Sequence, residues 1–169
     1  FWPSAIERSL YVAMSAVALV VLFYFWIPMP TLVWSVSNEA ARALIWTFAG
    51  LGWGIVLIST FLINHFELFG LHQIWSDFKN APLPSTRFHQ PLFYKLVRHP
   101  IYTGFLLAFW AAPDMSQGHL LFSVGMTIYI LIGIRYEEED LKTSLGDEYV
   151  AYTRKVGMVI PGFGKSKGG

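Results

Sequence analysis

The chain has no cysteine. Disulfides, thiolate metal sites and a cysteine nucleophile are therefore excluded. Charge is also scarce: 14% of the residues are charged and the net charge is +1. No nucleic acid is expected as a partner. Histidines are few, and none has the His-Glu-x-x-His spacing of a helical zinc site, so no metal is expected. The chain opens on Phe1 rather than Met. A cleavable signal is not evident, because the first apolar run has span length and Glu7 and Arg8 precede it. A segment of a longer protein, lacking an N-terminal part, is expected.

Apolar and aromatic residues are abundant instead. The sequence is 54% hydrophobic, with 7 Trp, 8 Tyr and 14 Phe in 169 residues. A soluble fold of that size has little interior in which to hide so much apolar surface. Leu10–Ile27 and Ala43–Ile63 are uncharged runs near the roughly 20 residues that cross a bilayer core. Ile101–Ala112 and Leu120–Ile134 are shorter and need help from their polar flanks or a locally thinned bilayer. The competing reading is a large buried soluble hairpin. The expected fold class is all-α: a polytopic integral membrane protein with about four transmembrane helices and a cytosolic C-terminal helix. With four spans, Arg42 alone among the 12 Lys and Arg residues lies opposite the rest. The crowded side is then cytoplasmic, and both polar clusters of the sequence face the cytosol. A single domain over 1–169 is expected, with its polar clusters within 98–161.

Along the chain, Pro28 and Pro30 end the first span, and Ser37, Asn38 and Glu39 suit the start of the next helix. Gly50-Leu-Gly52-Trp-Gly54 lies within a span and makes a poor nucleotide loop. Gly50-x-x-x-Gly54 better suits close helix packing. Residues 76–99, with Pro82, Pro84 and Pro91, form the longest polar connection and suit a lid. Glu137 to about Lys155 has the spacing of one helix.

Two polar clusters carry chemistry. In Arg98-His99-Pro100-Ile-Tyr102-Thr-Gly104, Pro100 suits the first turn of a helix and His99 its cap. The open N–H groups of such a turn attract anions, and Tyr102 can share a face with His99. Gly104 removes bulk one turn above. Interfacial anchoring by Arg, His and Tyr explains the same residues equally well. Glu137 and Glu138 follow the last span, where carboxylates are costly unless paired or used. They can pair with Arg98 or Arg135, bond a ribose or face a cation, or merely begin a solvated helix. A hairpin of the last two spans brings both clusters to one membrane face. His65, Glu67 and His72 lack a ligand set, but one of them can serve as a base or position substrate.

Arg98-His99-Pro100-x-Tyr102-x-Gly104, Glu137-Glu138, and Gly146-x-Glu148-Tyr149-x-x-Tyr152 with Val156 and Pro161 resemble the C-terminal signature of the isoprenylcysteine carboxyl methyltransferase superfamily, integral membrane enzymes that use S-adenosylmethionine. Residues 61–72, Leu96-Val-Arg-His-Pro and Gly104-Phe-Leu-Leu-Ala-Phe-Trp110 are similar to bacterial methanethiol S-methyltransferases, with the related NnrU proteins close. The resemblance implies methylation of a small thiol, methanethiol to dimethyl sulfide. It implies that His99, Tyr102, Gly104 and Glu137 line the cofactor pocket, with Tyr149 and Tyr152 packed beside it. Arg98 and Glu138 lie near the reacting centre, Arg98 as the candidate cation. The thiol site falls to His65, Glu67 and His72, with His72 or His65 as base. Methylation of an isoprenoid or phospholipid, or a non-catalytic membrane role, are the alternatives.

Overall fold

The computed structural model describes residues 4–62 and 92–165. Its chain divides into two compact units, residues 1–28 with 60–87 and residues 29–59 with 88–169. In the first, α1 spans Ser4–Tyr24 and ends before Pro28.

The second unit holds the remaining elements. These are β1 (Leu32–Ser35), α2 (Glu39–Leu62, whose last residues belong to the first unit), a 3-10 turn at Leu92–Lys95, α3 (Pro100–Trp110), β2 (Asp114–Ser116), α4 (Gln117–Leu145) and α5 (Asp147–Lys155). Asn38 caps α2 as its sequence suggests, its Oδ1 accepting from the Ala41 N–H at 2.9 Å. α2 and α4 are long and apolar enough to cross a membrane, whereas Ala13–Tyr24 and α3 are shorter apolar helices. Trp46, Leu57, Ile128 and Ile132 are exposed on the two long helices, as lipid-facing side chains would be.

The fold is mostly helical, as expected, with one small sheet added. β1 and β2 form a two-stranded antiparallel sheet. It joins the start of α2 to the link between α3 and α4. Asp114 ties it down, accepting from Arg42 Nη1 at 2.9 Å and Nη2 at 2.6 Å and from Ser35 Oγ at 2.6 Å. These bonds to Arg42 and then Ser35 hold the Asp114 carboxyl down at about 2.

The glycine reading needs a correction. A side chain at Gly50 or Gly54 would meet open space. The close approach instead joins Gly52 to Gly104. A Cβ on Gly52 would lie 2.7 Å from both Gly104 O and Ala108 N, and one on Gly104 2.7 Å from Gly52 O. Backbone-to-backbone contact at this point fixes an antiparallel register between α2 and α3.

The C-terminal helix is also divided differently. α4 runs through Glu137 and Glu138 to Leu145, and Gly146, at φ +58°, breaks the chain before α5. Gly146 takes a backbone conformation that other residues rarely adopt. The break returns α5 toward the start of α3. Glu137 lies about 30 Å along α4 from Gln117, close to the thickness of a hydrocarbon core.

Candidate functional site

The start of α3 is built as its sequence implies. His99 is the N-cap residue, Pro100 occupies the first turn, and no side chain caps the helix. Just before it, Val97 makes a parallel bridge to Gly157. The Arg98 N–H donates to Gly157 O at 2.8 Å and the His99 N–H to Met158 O at 3.1 Å. The His99 and Tyr102 rings lie 5.7 Å apart.

Arg98 and His99 are both buried, 5% exposed each. Glu138 joins them: its Oε1 lies 2.7 Å from Arg98 Nε, 2.6 Å from Arg98 Nη2 and 3.2 Å from His99 Nε2. The other ring nitrogen, Nδ1, lies 3.5 Å from Glu137 Oε2. The two clusters separated in sequence thus form one polar centre. Arg135 takes no part in it and faces Glu139 at 3.4 Å.

The remaining Arg98 donors are also spent. Nη1 donates to Val156 O at 2.6 Å and Thr153 O at 3.3 Å, and Nη2 donates to Gly164 O at 3.1 Å. Each N–H of the guanidinium fork therefore faces a protein acceptor. Arg98 ties α3, α4, α5 and the 157–164 loop together, which leaves no donor for a thiolate. Glu138 faces Arg98 and, at 4.0 Å, Lys142 Nζ, while the Glu137 side chain is 47% exposed and meets only the His99 ring in the described ion pairs.

Three phenols surround the carboxylates. Burial, then the Glu137 charge, then Tyr152 push the Tyr94 phenol up to about 12. Burial does the same to Tyr152, with Arg98 opposing, again to about 12. Burial and the Glu138 charge also raise Tyr149. The Tyr152 hydroxyl donates to Tyr94 O, which holds the 3-10 turn to α5.

Among the expected site residues, the structure brings together Arg98, His99, Tyr102, Glu137, Glu138 and Tyr149. Gly104 has a different explanation: it is buried against Gly52 and Val56 of α2, so its small size serves helix packing. His65, Glu67 and His72 lie outside the described residues, as does the 76–91 stretch of the lid expected over 76–99. Sequence reasoning missed Tyr94, Thr153 and Gly157. Tyr94 belongs to no periodic pattern. Gly157 was legible only as part of a Gly/Pro-rich turn, though a Cβ there would collide with Ile160 O.

No group of three or more metal-ligating side chains occurs among the described residues. A cavity of about 460 Å³ lies away from the polar centre, at the sheet end of the helices. It is lined by apolar groups such as Trp34, Phe48, Leu107 and Trp110, and it carries no titratable chemistry.

The family described as "Protein of unknown function (DUF1295)" matches residues 2–156. The chain is 48% identical to a methanethiol S-methyltransferase of Mycobacterium tuberculosis, over 95% of this chain and 66% of the relative. It is 49% identical to methanethiol S-methyltransferase 1 of Bradyrhizobium diazoefficiens, over 95% of this chain and 56% of the relative. A Nurim homolog of Drosophila pseudoobscura pseudoobscura is 29% identical over 82% of this chain and 57% of its own length. The chain thus spans at most 66% of the length of these relatives. No solved structure matches it. The likeness to methanethiol S-methyltransferases, read first from three segments between residues 61 and 110, extends over most of the chain, and by the match over residues 2–156 the chain belongs to the DUF1295 family.

Proposed function

We propose that this chain carries the donor-binding part, residues 98–161, of a membrane methyltransferase. In this reading the enzyme moves a methyl group from S-adenosylmethionine to a small thiol, converting methanethiol to dimethyl sulfide at the cytoplasmic face of a bacterial inner membrane. One observation carries the reading: the buried contact of Arg98 and His99 with Glu138, with the half-exposed Glu137 carboxylate beside them. The names of relatives 48% and 49% identical support the same substrate class.

The residues fit such a donor. It has a cationic sulfonium, a ribose diol and a carboxylate. Glu137 supplies a half-exposed acceptor and a negative field, suited to the diol or the cation. The uncapped start of α3 suits a carboxylate. The Tyr102 ring offers an aromatic face to a cation. When bound, S-adenosylmethionine supplies an electrophilic methyl group.

The roles of the chain's own residues follow from their contacts. Arg98 is a positioning residue, because its donors hold Glu138 and the backbone of α5 in place. Glu138 fixes the His99 ring, and His99 presents its other nitrogen toward Glu137. Tyr94, Tyr149 and Tyr152 stay neutral and close the centre against water. On the family likeness alone, the thiol site falls to His65, Glu67 and His72, with His72 or His65 as base. The thiolate has to meet a cation in a dry setting, where loss of both charges lowers the barrier.

The test is incubation of the protein in detergent with labelled S-adenosylmethionine and methanethiol, followed by headspace analysis. Labelled dimethyl sulfide is expected. Glu137→Gln should weaken donor binding measured by calorimetry about tenfold, the effect of losing one charged contact. Calorimetric silence from the wild-type protein would refute the reading.

A further inference from the structure

We propose that the Ser59 hydroxyl is a substrate-binding group that meets the sulfur of the acceptor thiol. This deepens the methyl-transfer reading above and rests on it. Ser59 is fully buried, and its Oγ has no hydrogen-bond partner. Hydroxyls within helices usually bond the carbonyl one turn back. Thr47, Thr103, Thr127 and Thr143 all do so here, at 2.6–3.1 Å. Ser59 does not. A hydroxyl cut off from both water and backbone is costly unless a ligand completes it.

Its place in the fold points to that ligand. Ala49, Gly52, Val56 and Ser59 are the buried residues of α2 and lie on one face. Gly52 meets Gly104 and Ala108, and Gly104 meets Val56, with the two helices antiparallel. Continuing that register about two turns along α2 brings Ser59 level with His99, at the uncapped start of α3. That level sets Ser59 beside the start of α3, on a helix that contributes none of the polar centre's charged groups.

The stripe leading to Ser59 is small and apolar, so the hydroxyl is its first polar group. A hydroxyl accepts from an S–H and donates to a thiolate, so it can hold the sulfur before and after proton loss. A single neutral donor suits a small soft anion better than a carboxylate or phosphate, which call for several donors.

Ser59→Ala in the full-length protein tests this. The KM for methanethiol should rise about tenfold, the effect of one lost hydrogen bond to a charged atom. S-adenosylmethionine binding by calorimetry should stay within about twofold, since the donor uses other groups. The melting temperature should hold or rise, because an unpaired buried hydroxyl is removed. The rise in melting temperature that methanethiol induces without donor should vanish in the variant. An unchanged KM in an enzyme that still binds the donor overturns the role of Ser59 alone. Equal loss of donor and thiol binding overturns it as well, because the residue would then support the whole centre. A wild-type protein that binds no donor overturns the functional reading and this proposal with it.

Discussion

Replacing Arg98 with Met would leave Glu138 only His99 Nε2 at 3.2 Å and Lys142 Nζ at 4.0 Å. The carboxylate, whose side chain is 13% exposed, would lose contacts at 2.7 and 2.6 Å. The Thr153, Val156 and Gly164 carbonyls would lose their donors too. Removing one partner of a buried ion pair costs about 3–5 kcal/mol. For a chain of this size, 1 kcal/mol moves the melting temperature by about 2–4 °C. Arg98→Met should therefore melt at least about 6 °C below wild type, followed by tryptophan fluorescence in detergent. Most of the cost lies in the uncompensated charge, so adding Glu138→Gln should recover about half of the loss. An Arg98→Met protein that melts within about 2 °C of wild type would refute the reasoning. So would a double variant no better than the single one.

Gly52→Ala and Gly104→Ala should each lower the melting temperature by several degrees, since the new Cβ meets backbone at 2.7 Å. Gly50→Ala and Gly54→Ala should leave it unchanged or raise it slightly, because both face open space and alanine is the better helix former. In a spectrophotometric titration, Tyr94 and Tyr152 should ionise only near 12, and Tyr94→Phe and Tyr152→Phe should each remove one late step. Both folded values are raised. Their contribution to stability is therefore whole below about pH 10, and it declines as pH rises toward 12. Asp114 has the opposite sign: its folded value is depressed to about 2, so its contribution is whole above about pH 4 and fades as pH falls toward 2. The melting difference between wild type and Asp114→Asn should accordingly be constant from pH 8 to about pH 5 and shrink below that.

The sequence revealed most where the physics was local. The apolar runs over α2 and α4, Pro100 at the start of α3 and Asn38 as a cap depend on neighbours along the chain. The meeting of Arg98 with Glu138 was also legible, because two apolar segments joined by a short polar turn return to the same face. What escaped depended on three-dimensional register. Three glycines share one stretch of α2, and only the approach of α3 shows that Gly52 is the one that matters. The β1–β2 pairing joins segments far apart in sequence, with too few residues to show a period. The acceptors for Arg98 Nη1 and Nη2 in α5 and the following loop are backbone carbonyls, which no side-chain pattern announces. Gly146 could be read as a turn, but the helical spacing of Leu141, Leu145 and Tyr149 on either side concealed its break.

The dependence of Arg98 on acceptors as late as Gly164 has a consequence for biosynthesis. When Arg98 leaves the ribosome, its carboxylate partner is still 40 residues away and its last carbonyl 66. In the membrane reading proposed above, the guanidinium waits, hydrated, while α4 and then α5 are translated. A message cut short after α4 would leave Arg98 without its acceptors at Thr153, Val156 and Gly164.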